Sequence, residues 1–130
     1  MGKYILLADP DENHLQLQVT SIKYFYAGDV LTATNTQRLR QILKEKGPPE
    51  LMVVEFDLIR ENDGSLYREV HSVDYSFPVV ATSPRDADEF IMQYPQLTSW
   101  LVKPLSLDSL TQVVKSLIHI SLSSSHSHVS

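Results

Sequence analysis

Two acids, a hydroxyl and an ammonium close four short apolar runs of this chain. Tyr4-Ile5-Leu6-Leu7-Ala8 leads into Asp9, Leu51-Met52-Val53-Val54 into Glu55, Val79-Val80-Ala81 into Thr82-Ser83, and Leu101-Val102 into Lys103-Pro104. If the four runs are neighbouring strands of an open parallel α/β sheet, their carboxyl ends meet at one crevice, where such sheets bind ligands. The four groups then share one charged pocket. Carboxylate oxygens there suit a hard cation, and an ammonium beside Glu55 favours an ion pair between Glu55 and Lys103.

The elements that must position these groups alternate between strand and helix. Tyr4 to Ala8 is a continuous apolar strand of the buried type. A helix follows from about Asp11 to Phe25, with Leu15, Val19, Ile22 and Tyr26 on one face. Asp29 to Thr34 is a second strand, and Thr36 to Lys46 a second helix ended by Gly47-Pro48-Pro49. Leu51 to Phe56 is the third strand, Asn62-Asp63-Gly64 a turn, and Ser65 to Val73 a weaker helix. Pro78 to Thr82 is the fourth strand, Arg85 to Tyr94 a helix, and Ser99 to Val102 the fifth strand. The last helix begins near Ser106 and carries Leu107, Leu110, Val113, Val114 and Leu117. From Ser121 the chain is Ser-rich with little apolar pattern. Residues 1–120 are therefore expected to form one domain, and 121–130 a disordered tail or the start of a linker.

Such alternation with buried-type strands predicts a doubly wound five-stranded parallel sheet with helices on both faces. Right-handed crossovers leave few topologies, of which the order 2-1-3-4-5 is the expected one.

Composition narrows the function. The 130 residues suit a single domain, with 42% hydrophobic residues and no cysteine. Disulfides and thiolate metal sites are thus excluded, which suits a cytoplasmic setting. The net charge of −5 argues against nucleic-acid binding. No apolar stretch is long enough to cross a bilayer, and no secretory signal is expected.

The four strand ends, in order and at this spacing, resemble the receiver domain of two-component response regulators, a CheY-like member of the flavodoxin-like α/β folds. The likeness runs from about Lys3 to Ile118. Ile5-Leu6-Leu7-Ala8-Asp9 resembles the first strand with its acid. Pro49-Glu50-Leu51-Met52-Val53-Val54 is similar to the lead-in to the phosphoacceptor. Pro78-Val79-Val80-Ala81-Thr82-Ser83 resembles the fourth strand with its hydroxyl, and Trp100-Leu101-Val102-Lys103-Pro104 the fifth strand with its Lys-Pro step. The resemblance implies a function in phosphorelay signal transduction, with a histidine kinase or small phosphodonor modifying an aspartate at the third strand end. It implies a Mg²⁺ ion held by acids after the first strand, for which Asp9 and Asp11 are the candidates. Ser83 and Lys103 would bind the phosphoryl oxygens, Trp100 would be the switch aromatic, and Pro104 would follow a cis bond.

The chain departs from this pattern where the phosphoryl group would be accepted. Glu55 stands at the acceptor position, and one extra methylene moves a carboxylate by roughly 1.5 Å. An offset of about 1 Å at a reacting group can cost ~10²-fold in rate. Pro10 stands where the second acid belongs. The Asp9-Pro10-Asp11-Glu12 run also reads as a helix start, with Asp9 as cap and Pro10 in the first turn.

The leading expectation is an atypical pseudo-receiver that is not an enzyme and acts by protein contact in bacterial signalling. Its partner would be a signalling protein, a histidine kinase or a second copy, met through the helix at 85–94, the fifth strand and the last helix. The alternative is a conventional receiver phosphorylated on Asp57, which points to the same side as Glu55 if the third strand continues. A flavodoxin-like small-molecule binder would need a phosphate cradle at the first strand end, where this chain has acids instead.

Overall fold

The computed structural model describes residues 3–60, 77–83, 99–103 and 106–127. Five parallel strands form one sheet: β1 (Tyr4–Ala8), β2 (Asp29–Ala33), β3 (Leu51–Glu55), β4 (Val79–Ser83) and β5 (Ser99–Val102). Their order is β2-β1-β3-β4-β5, as the alternation predicts. The described helices are α1 (Glu12–Lys23), α2 (Thr36–Lys46), α3 (Phe56–Ile59) and α4 (Leu107–Ser127).

Strand alternation divides the core in two. Leu6, Ala8, Met52, Val54, Val79 and Ala81 face one side and pack with Leu39, Ile42 and Leu43 of α2 and Leu58 and Ile59 of α3. Ile5, Leu7, Leu51, Val53 and Val80 face the other, against Leu15 and Ile22 of α1 and Leu110 and Val114 of α4. All five residues of β1, β3 and β4 are buried. That explains their unbroken apolar sequence: a strand covered on both faces has no solvent side to mark with polar residues.

The helix ends show why the elements stop where they do. Asp11 caps α1, its carboxylate accepting from the amides of Asn13 at 2.9 Å and His14 at 3.4 Å. The capping role expected of Asp9 thus belongs to Asp11, and Pro10 precedes the cap rather than opening the helix. Asn35 caps α2 through the Arg38 amide at 2.8 Å. Gly47 ends α2 with φ 79°, a conformation that favours glycine.

β2 ends at Ala33 and α1 spans Glu12–Lys23, each slightly shorter than the sequence reading, and three other boundaries differ from it. β3 stops at Glu55, and the chain turns helical at Phe56 rather than continuing as strand. β4 is shifted one residue and includes Ser83. α4 runs on through Ser127, past the expected end near Ile120, so residues 121–127 are helical where a disordered tail was expected. No Gly or Pro interrupts 106–127, and extending a formed helix costs far less than starting one. The expected turn at 62–64 and the helices at 65–73 and 85–94 lie outside the described residues. Among the described residues, no helix is long and apolar enough to cross a membrane.

Candidate functional site

The register brings the strand ends together. Ala8 pairs with Val54, Glu55 with Thr82, and Ser83 with Val102. Asp9, Glu55, Ser83 and Lys103 therefore follow or end adjacent strands at one edge of the sheet. The Lys103 amide donates to the Ser83 carbonyl at 2.6 Å, which extends the β4–β5 ladder by one step and anchors the lysine.

Asp9 is the centre of the pocket. Its residue is 1% exposed. Oδ1 accepts from the Asp11 amide at 2.8 Å, and Oδ2 meets Lys103 Nζ at 3.0 Å. His14 Nδ1 lies 3.5 Å from the same Oδ2. The sequence reading did not single out His14. Its signal was positional: the third residue of a helix that starts beside a strand end turns back toward that end.

Glu55 does something else with its extra methylene. Its carboxylate bends back and accepts from the Asp57 amide at 2.9 Å, capping the short α3. The expected ion pair between Glu55 and Lys103 is thus replaced by one between Asp9 and Lys103. Both acids are buried and each accepts from the amide two residues on; it is the second oxygen of Asp9 that meets the ammonium. Burial pushes the Glu55 carboxyl above its ordinary range, as do the nearby Asp57 and Asp9 charges; the Asp57 amide and the Lys103 charge oppose this.

Asp57 does not share the pocket. The turn into α3 breaks the alternation that would have aligned it with Glu55. Its side chain is 62% exposed and pairs with Arg60 at 3.3 Å. Ser83 is buried at the end of β4. Trp100 sits on β5 opposite Ala81. Pro104 lies outside the described residues. Among the described residues, no group of three or more His, Asp or Glu side chains could hold a metal ion.

The raised carboxyl makes a pH prediction. A folded Glu55 that holds its proton more tightly than the unfolded chain contributes stability below its ordinary titration range, and that contribution fades as pH rises through the folded value. Glu55→Gln keeps an oxygen for the Asp57 amide and removes the buried charge. Relative to wild type, this variant is expected to gain stability as pH rises from the ordinary carboxylate range through the folded Glu55 value, and to keep that gain above it, in urea denaturation series. A difference that does not vary with pH would contradict the burial argument.

No protein-family model matches the sequence. No curated protein matches it either. Solved structures do. A receiver domain of a Francisella response regulator superposes with a TM-score of 0.76 at 22% identity, covering 92% of this chain and 98% of that one. The fold is that of a receiver domain. The signal receiver domain of a DNA-binding response regulator from Colwellia psychrerythraea gives a TM-score of 0.78 at 17% identity, covering 90% and 98% of the two chains. A CheY-like response regulator receiver domain protein from Methanospirillum hungatei gives 0.75 at 15%, covering 92% and 95%. At these identities the likeness is one of fold. The receiver fold sets the crevice where Asp9, Glu55, Ser83 and Lys103 meet, and the local chemistry there is this chain's own.

Proposed function

We propose that this chain is a receiver-like domain of a two-component signalling protein that works through protein contact and without phosphorylation, in the cytoplasm. One observation carries the reading: the carboxylate at the acceptor position is buried and engaged as a helix cap, while the lysine that would bind a phosphoryl group is paired with Asp9. A nucleophile turned into its own helix start is not presented to a phosphodonor.

The metal half of the chemistry is also undercut. Mg²⁺ demands near-ideal octahedral oxygen geometry. Here Asp9 has both oxygens engaged, Asp11 serves the amides of α1, and Pro10 offers no side-chain ligand. This donor set does not fit Mg²⁺. Asp57, the alternative acceptor, faces solvent and is paired with Arg60. Phosphoryl transfer depends on positioning and charge stabilisation, and Asp57 has neither.

Incubation with acetyl phosphate and millimolar Mg²⁺ is expected to leave the intact mass unchanged. Beryllofluoride with Mg²⁺ is expected to leave the amide NMR spectrum unchanged. A stable phosphoryl adduct on Asp57 or Glu55 would overturn the proposal.

A further inference from the structure

Among the described residues, one ammonium serves two buried carboxyls at the strand ends. Ala8 pairs with Val54, so Asp9 and Glu55 come next on adjacent parallel strands, whose backbones lie about 4.8 Å apart. Leu7, Val53 and Val80 face the α1–α4 side of the sheet, and Leu101 packs with them. Alternation puts Asp9, Glu55, Thr82 and Lys103, each two residues farther along, on that same side. Thr82 stands opposite Glu55 and is buried. Lys103 follows β5 and Asp9 follows β1, with the ends of β4 and β3 between them. The lysine arm that meets Asp9 at 3.0 Å therefore passes the end of β3, where Glu55 stands.

The charge count decides what this crossing means. Two ionised carboxylates and one ammonium leave an unmatched negative charge in the interior, which burial makes costly. A proton on one carboxyl removes it. Asp9 is already met by the Lys103 ammonium and the Asp11 amide, whereas Glu55 has no cation at ion-pair distance among the described residues. The proton therefore belongs to Glu55, whose carboxyl burial pushes upward. The other charged groups around it are engaged or turned away. Asp57 of α3 pairs with Arg60 in solvent, His14 of α1 meets Asp9, and Asp108 and Lys115 of α4 are exposed. An ammonium carries three donors, so it can bridge both carboxylates once both are charged.

We propose that Glu55 and Lys103 form a proton-operated latch: while Glu55 keeps its proton the ammonium rests on Asp9, and when that proton leaves to solvent the ammonium is drawn back over the end of β3 to bridge the two carboxylates. The Lys103 amide stays tied to the Ser83 carbonyl, so the side chain makes the move. The charge gained by Glu55 biases the arm between its two positions. The latch rests on the reading above, in which no phosphoryl group is added at position 55.

NMR of the full chain from about pH 4 to about pH 9, with no phosphodonor present, tests the latch. The Glu55 carboxyl carbon is expected to titrate with a midpoint above the ordinary glutamate range. The Asp9 carboxyl carbon and Lys103 Nζ are expected to shift with that same midpoint, as coupled groups do. In Glu55→Gln, which keeps an oxygen for the Asp57 amide, their shifts at that midpoint are expected to vanish. His14→Gln is expected to leave them in place, which separates the latch from titration of the imidazole beside Asp9. Asp9 and Lys103 signals that stay flat through the Glu55 midpoint overturn the inference. So do shifts that persist in Glu55→Gln or vanish in His14→Gln. Each of these results leaves the phosphorylation-independent reading standing. An adduct on Glu55 after treatment with acetyl phosphate and Mg²⁺ would sink that reading without altering the titration of the unmodified chain.

Discussion

Lys103→Met is expected to destabilise the domain by about 3 kcal/mol, because it strands the Asp9 carboxylate in the protein interior. Asp9 is 1% exposed and Lys103 15%, so the pair is shielded from the solvent screening that makes surface ion pairs weak. Once the ammonium is gone, the His14 ring, 3.5 Å away, is the remaining partner of Oδ2 among the described residues. The loss measures a charge left without its partner rather than the strength of the pair itself. Asp9→Asn in the same chain removes that charge and keeps an oxygen for the Asp11 amide. The double variant Asp9→Asn with Lys103→Met is therefore expected to recover most of the loss, to within about 1 kcal/mol of wild type. Urea denaturation of the four proteins gives the coupling directly. A single variant as stable as wild type would mean that Asp9 reaches water more freely than its burial implies.

The second large effect is a gain. Glu55→Asp combined with Pro10→Asp is expected to raise phosphoryl incorporation from acetyl phosphate, with millimolar Mg²⁺, at least ~10²-fold over wild type. Shortening residue 55 draws the carboxylate back toward the strand end. The aspartate at position 10 adds the oxygen donor that proline lacks, beside Asp9. Ser83 and Lys103 end neighbouring strands, with the Lys103 amide tied to the Ser83 carbonyl, and a phosphoryl group at position 55 would have to draw the Lys103 ammonium from Asp9. Intact mass spectrometry counts the adduct. A double variant that remains unmodified would show that these two positions do not by themselves control phosphoryl transfer in this pocket.

Glu55 and Asp9 contrast in what their second oxygens and neighbours do. Both acids end buried strands, and the sequence marks them alike. In the fold one closes a helix start and the other holds the ammonium. A pocket so arranged has its charges matched internally.

Strand identity and order were legible because burial on both faces leaves unbroken apolar runs, and because right-handed crossovers restrict how such runs can be arranged. Helix α2 was legible to the residue, Thr36 to Lys46 with Gly47 as its stop. The meeting of Asp9, Glu55, Ser83 and Lys103 at one sheet edge followed from the same pattern. Partner choice within that edge did not. The sequence marks charges at strand ends but not the direction of each side chain. A single helical turn at Phe56 decided that Glu55 caps an amide and that Asp57 faces water. His14 likewise came only with the tertiary structure. Which side of α1 lies against the sheet depends on how it packs with α4, about ninety residues away in the chain. Local sequence determines the elements through burial and capping. Long-range packing decides which charged group each of them meets.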